Sequence, residues 1–365
     1  MNYLIKESFQ QIKDFRQAKK CRHRLADILL IGICTYLSNG QDYEDMVLFA
    51  QSKGPQLGDL LDLPNGVPSH DTFNRVFQIL NPELLRGCLD QHGKALLDVL
   101  ADKQIALDGK KLRGVDPHSK GMSGLFIVNA WVGENRLCIG QHRVDDKSNE
   151  IEALSPLVAQ LDITDAVVSI DAIGCQKELV TQIRQQKGHY LLAVKGNQGA
   201  LLEEMQCAFK ACKSQIASEP WEYSRSRFET RTCSILSAAS SIDASFMASW
   251  TDLQTLIKVE SVRYEGTKQS HQTRYYISDE LPENALYFSK LARGHWGIEN
   301  QLHWHLDVTF KEDSCRVRTG YGPENLSTLR KLALQLVSQQ EDKLSLQKRR
   351  VKAAYDMDYL KNLFT

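Results

Sequence analysis

The hydrophobic period changes at Lys103, and this change constrains the fold more than any other feature. Before it, apolar residues recur at helical spacing. Residues 24–37 are apolar enough for a buried helix, 42–51 suit a second, and Phe73, Val76, Phe77 and Leu80 mark a third. Asn81-Pro82-Glu83 opens another helix, running to about Leu100. After Lys103 the apolar runs become short and solid. Ile105-Ala106-Leu107 and residues 166–170 read as buried strands, and each stops on an aspartate, Asp108 and Asp171. Leu125–Val132 and residues 136–144 form a hairpin about Gly133-Glu134-Asn135, and His189–Val194 is a fifth strand. Helical stretches at 149–161 and 176–186 intervene, which predicts an α/β mixed sheet with helices on its faces.

Residues 199–215 read as helix, and short β-like runs then occupy 221–223, 230–236, 255–264 and 273–277. They interrupt the α/β pattern as an insertion. Helical spacing returns after Pro282 and continues through Trp304. The expected organisation is an all-α module (1–100) and a core split between 101–198 and 280–340. A helix plus β-rich insertion (199–279) divides that core, and a basic tail (341–365) follows it.

Charge sharpens the class. The 365 residues carry 45 Lys and Arg against 45 Asp and Glu, which excludes a generic polycation. The distribution is uneven: residues 1–24 and 343–352 are basic, whereas 25–108 are acidic. Basic ends suit nucleic-acid arms or solvated helix faces. The longest apolar run, 28–37, is too short for a bilayer, and the first residues lack an apolar signal core. Nine cysteines are scattered without a CxxC pair, as expected of reduced thiols in a cytoplasmic protein.

The acids propose the chemistry. A carboxylate at a strand end can cap the next turn, but in an α/β sheet it also faces the crevice where ligands bind. Asp108-Gly109-Lys110-Lys111 and Asp171-Ala172-Ile173-Gly174 both read as tight, approachable turns. Glu299, from the late helix, has His295 at i−4 and His303 at i+4 on the same face. Three converging acids repel one another unless cations bind. Two Mg²⁺ (or Mn²⁺) ions on such a cluster would support in-line phosphoryl transfer.

On the strings PSHDTFNRVF, IALDGKKLRG, SIDAIGCQKE, YLLAVKGNQ, RFETR, HWGIENQLHWHLDVTFKED and NLSTLRKLAL, the chain resembles the H-repeat-associated (ISAs-type) insertion-sequence transposases. These are DDE transposases with a ribonuclease-H-like core, and the resemblance covers essentially the whole chain. It implies a metal-dependent transposase acting on double-stranded DNA at element ends and target, working as a dimer on DNA. The triad maps to Asp108, Asp171 and Glu299. In the wider group the Glu helix bears a Tyr, Arg, Glu, Lys signature; here Ala292, His295 and Leu306 stand at the three places other than Glu.

Around that triad, Lys110, Lys111 and Arg113 could hold phosphates or form a basic surface turn. Gln176, Lys195, Asn197 and Gln198 could touch sugar or phosphate, or serve turn chemistry. Arg227 and Arg231 alternate with Glu229 on one strand face, suiting DNA contact or a salt-bridged ladder. Asn300 could orient an acid, and Trp296 could stack on an unpaired base or pack in the core. Arg293, His295 and His303 complete the expected DNA-facing set. Zinc is disfavoured, because HEXXH is absent and His303 and His305 cannot share a helix face. No membrane or small-molecule substrate is expected. Two other readings remain: a catalytically silent DNA-binding descendant, and another ribonuclease-H-like endonuclease.

Overall fold

The computed structural model describes residues 4–17, 19, 21–97, 99–115, 125–144, 150–224 and 227–364. Helices come first: α1 (Leu4–Gln11), α2 (Leu25–Leu37), α3 (Tyr43–Lys53), α4 (His70–Ile79) and α5 (Pro82–Leu96). The sheet begins with β1 (Gln104–Leu112), β2 (Leu125–Val132), β3 (Leu137–Val144), α6 (Glu150–Ala159), β4 (Val167–Ile170), α7 (Lys177–Gln185), β5 (His189–Val194) and α8 (Gly199–Ala211). Then follow β6 (Gln215–Ser218), β7 (Glu222–Ser224), β8 (Arg227–Ser237), the short helices α9 (Ala238–Ser241) and α10 (Ala244–Ala248), and the hairpin β9 (Thr255–Glu265) and β10 (Lys268–Ser278). Last come α11 (Ala285–His295), π-helical turns at Ile298–His303 and His305–Thr309, α12 (Gly322–Ser338), α13 (Leu346–Tyr355) and α14 (Met357–Asn362). Residue 149, expected to open the helix now seen as α6, lies outside the described residues.

Local chemistry sets the helix ends. Asn39 takes a left-handed φ of 70°, which lets the Gly40 N–H reach the Thr35 carbonyl at 2.9 Å and stops α2. Asp42 caps α3 by accepting from the Asp45 N–H, and Asn81 caps α5 with Pro82 in its first turn.

The strands lie in the order β3-β2-β1-β4-β5-β10-β9-β8-β6, with β7 beside β8. The β1–β4 and β4–β5 pairs are parallel; the remaining pairs are antiparallel. This mixed sheet, flanked by helices, has the architecture expected of a ribonuclease-H-like core. The β-rich segment does not interrupt it. Tyr275–Ser278 of β10 pairs with Leu191–Val194 of β5, so the hairpin continues the same sheet and covers an edge that β5 would otherwise expose.

Three cores follow. One sheet face packs α6, α7 and α8, with Leu157, Val180 and Met205 fully buried. The other face receives α11 through Phe288 and Ala292. The N-terminal helices close instead around α12, which is buried along its length except at Ser338. Leu326, Leu329 and Leu332 each contribute roughly 2 kcal/mol there by leaving water. The basic tail also docks on this core. Arg350 is buried, stacks on Phe310 at 4.2 Å, and donates to the carbonyls of Tyr36, Thr309 and Gly40. A run that reads as a nucleic-acid arm therefore spends Arg350 on the fold. Among the described residues no helix is long and apolar enough to cross a membrane.

Candidate active site

The parallel register of β1 with β4 ends at Leu107 opposite Ile170, so Asp108 and Asp171 are the next residues on neighbouring strands. They then part. Asp171 leaves its strand and caps the Ala172–Gly174 turn, accepting from the Ile173 N–H at 3.0 Å. Asp108 stays in β1, opposite Asn129, because β2 goes on pairing with β1 as far as Leu112. The turn expected at Asp108–Lys111 is therefore continuous strand. Its alternation sends Asp108 and Lys110 to one face and Gly109 and Lys111 to the other.

The Asp171 turn is braced from two sides. Asn197 donates to the Ala172 carbonyl at 2.6 Å, Gln198 to the Cys175 carbonyl at 2.8 Å, and Gln176 to the Ile173 carbonyl at 3.2 Å. These amides, expected at DNA, serve the turn that presents the acid.

Glu299 arrives from the π-helical turn after α11. There the Trp304 N–H bonds back to the Glu299 carbonyl, one residue further than an α-helix allows. The wide turn separates two histidines. His295, at the end of α11, is buried with Nδ1 3.2 Å from Ser169 Oγ. His303 is buried on the Asp108 side, its Nδ1 3.4 Å from Asp108 Oδ2 and its Nε2 3.4 Å from Asn129 Nδ2. One donor atom each from Asp108, Glu299 and His303 all lie within 4.8 Å of one another.

Burial, and then the carboxylates of Asp171, Glu299 and Glu150, push the Asp108 carboxyl up to about 8. Burial also holds His303 down to about 3 and His295 to about 4, so both imidazoles are neutral near pH 7. Glu150 and Asn129 were not singled out by sequence reading. Glu150 opens α6, where an acid reads as ordinary helix-end chemistry. Asn129 did carry a signal: it is an amide inside the solid run LFIVNAWV, and it is fully buried.

The transposase DDE domain profile matches residues 100–336, and a DDE_Tnp_1-associated profile matches 6–92. The protein named "H repeat-associated putative transposase YhhI" of Escherichia coli (strain K12) is 34% identical over 98% of this chain and 96% of its own length. The chain belongs to the DDE transposase family. An uncharacterized protein from the dhlA 3′ region of Xanthobacter autotrophicus is 37% identical over 76% of this chain and 95% of its own. A shorter E. coli relative, named "Inactive transposase YbfQ", is 43% identical over 17% of this chain and 75% of its own.

Within this DDE transposase, several cations expected at DNA have protein partners. Lys110 is buried, with Nζ at 2.6 Å from Asp307, 3.0 Å from Glu312 and 3.4 Å from Asp313. It is an internal counter-ion and does not face a phosphate. Burial favours protonated Glu312, yet Lys110, Arg330 and Lys331 together hold it down at about 2. Arg113 is exposed, 3.6 Å from Asp313, and Lys111 lies 5.8 Å over the Phe126 ring. Arg231 pairs with Glu229 at 2.8 Å, and Arg293 makes two hydrogen bonds to Glu222. Lys195 and Asn300 are exposed, Asn300 donating to the Trp296 carbonyl at 2.9 Å. Arg227, Arg263 and Arg274 line a groove of about 1040 Å³ with Trp296 and Asn300, and Glu222 and Glu229 line it too. Arg274 stacks on Trp296 at 4.3 Å.

The acids fit a divalent ion. Carboxylates from β1 and the π-helical turn converge with a neutral imidazole, and the charges of Asp171, Glu299 and Glu150 all bear on Asp108. Asn129 Oδ1 is buried there without a hydrogen-bond partner. Hard oxygen donors at this spacing suit Mg²⁺ or Mn²⁺.

Proposed function

We propose that the protein cleaves DNA at the ends of an insertion sequence and joins the freed ends to target DNA. The supporting observation is the convergence of Asp108 and Glu299 beside Asp171 at the end of the parallel β1–β4 register. Asp108, Asp171 and Glu299 would hold two Mg²⁺ or Mn²⁺ ions. When bound, these supply Lewis-acid stabilisation of the charge that develops in phosphoryl transfer. The chain's own residues do the rest. Asn197 and Gln198 fix the Asp171 turn, while the π-helical turn sets Glu299 toward Asp108.

Water first attacks a backbone phosphate at the element end, and the released 3′-hydroxyl then attacks target DNA in a second in-line transfer. The groove lined by Arg227, Arg263 and Arg274 offers guanidinium groups to the DNA backbone, with Trp296 and its stacked Arg274 in its wall. Asn300 lines the same groove, exposed Lys195 adds a further cation for DNA, and two copies hold two ends together. The test is cleavage and strand transfer on DNA carrying the element's terminal repeats, with and without Mg²⁺ or Mn²⁺. Asp108→Asn, Asp171→Asn and Glu299→Gln should each abolish both steps. Full activity in all three variants would overturn the assignment. End binding without cleavage by the wild-type protein would mark a silent descendant, and cleavage without joining would mark an endonuclease.

A further inference from the structure

We propose that His303 is a nitrogen ligand of the divalent ion held by Asp108 and Glu299, oriented for that role by Asn129. The inference rests on the metal reading above and adds to the acidic triad. Three observations carry it. First, the His303 ring is only 7% exposed, and its Nδ1 faces a carboxylate. Second, that approach is 3.4 Å, longer than the roughly 2.7–2.9 Å of a charge-assisted hydrogen bond. It is instead the spacing of two ligands on one ion, since donors about 2.1 Å from a metal at octahedral or tetrahedral angles stand about 3.0–3.4 Å apart. Third, Glu299 reaches the same place, with one donor atom from each of the three residues inside a 4.8 Å set.

Asn129 supplies the orientation. It lies opposite Asp108 in the β1–β2 register, and its amide is 3.4 Å from the other ring nitrogen of His303. Its Oδ1 is buried without a partner. Which end of an amide is oxygen is assigned from its hydrogen bonds. A half-turn of this amide gives Oδ1 the Nε2–H of His303 and gives up the 3.2 Å contact of Nδ2 with the Ile127 carbonyl. Nε2 then carries the proton, and the Nδ1 lone pair points at the acids, which is how outer partners set the tautomer of a ligating histidine. An imidazole in the set makes the site less selective for Mg²⁺ and favours Mn²⁺, whose affinity for nitrogen donors is greater.

The test is pulsed electron paramagnetic resonance on the full chain loaded with Mn²⁺ in the absence of DNA, together with Mn²⁺ titrations. The wild-type protein should show coupling to an imidazole nitrogen. His303→Asn should lose that coupling and bind Mn²⁺ at least about 10-fold more weakly, whereas His295→Asn keeps it. Asn129→Ala should weaken Mn²⁺ binding by about 10–100-fold and retain the coupling. Bound Mn²⁺ with oxygen-only coupling in the wild type overturns the role of His303 and leaves the carboxylate site standing. Coupling lost in His295→Asn and kept in His303→Asn also overturns it. Failure of the wild-type chain to bind Mn²⁺ overturns both readings, and the wild-type spectrum decides even where a variant does not fold.

Discussion

Asp108 and Lys110 stand two residues apart on the same face of the same strand, yet they belong to opposite electrostatic regimes. Around Lys110, charges are matched: three carboxylates surround one ammonium, and Arg330 and Lys331 add to the compensation of Glu312. Around Asp108 they are mismatched. Asp171, Glu299 and Glu150 all raise its carboxyl, and the nearest base, His303, is held neutral. A matched buried cluster is consumed by the fold. A mismatched one is an unfilled demand for positive charge, and the fold must tolerate it for a purpose other than stability.

That contrast can be broken from either side. The largest effect is expected on the mismatched side: Asp108→Asn should lower strand cleavage by about 10³-fold or more with the fold intact, read by end-nicking rates and circular dichroism. On the matched side, Lys110→Met removes the one ammonium that Asp307, Glu312 and Asp313 share. It should cost about 3–5 kcal/mol in urea unfolding, and it reaches cleavage only through that loss. If Lys110→Met proved neutral in stability, the two clusters would not differ as described.

The third prediction concerns pH. The Asp108 carboxyl is raised in the folded chain, so folding takes up a proton between its unfolded value near 4 and about 8. Metal-free stability should therefore fall as pH rises through that window. Asp108→Asn should remove the slope and be the more stable of the two at pH 8.5. Saturating Mn²⁺ should narrow the gap by stabilising only the wild type. A pH-independent difference between the two would break the comparison. The smallest effect belongs to the bracing amides: Gln198→Ala should cost about 1 kcal/mol and slow cleavage while leaving the pH slope in place, because it removes one hydrogen bond to the Asp171 turn.

Much of this was legible in the sequence, and the limits are instructive. The solid runs before Asp108 and Asp171 marked buried strands, which the fold pairs in parallel, and the β5 span His189–Val194 agreed to the residue. The end of β1 was not legible: an Asp followed by Gly and two Lys reads as a turn, and only the partner strand β2 shows that it continues. Lys110 read as surface because its partners, Asp307, Glu312 and Asp313, lie about two hundred residues away. The β-rich segment read as an interruption for a similar reason. Its pairing with β5 joins positions separated by some eighty residues and leaves no trace in local periodicity. Glu299 was visible from its neighbours His295 and His303, but a regular helix would put both histidines on its own face. The π-helical turn parts them, one beside Ser169 and the other beside Asp108.

Arg350 carries a consequence for how copies of such a gene decay. A stop codon shortly before it would remove a stretch that reads as a dispensable basic tail. It would also strip the Arg350 guanidinium from the carbonyls of Tyr36, Gly40 and Thr309, in α2, in the loop after it and in the turn that follows Glu299. The lesion lies more than three hundred residues along the chain from α2, but its damage falls on the first helical module and on the approach to the acids.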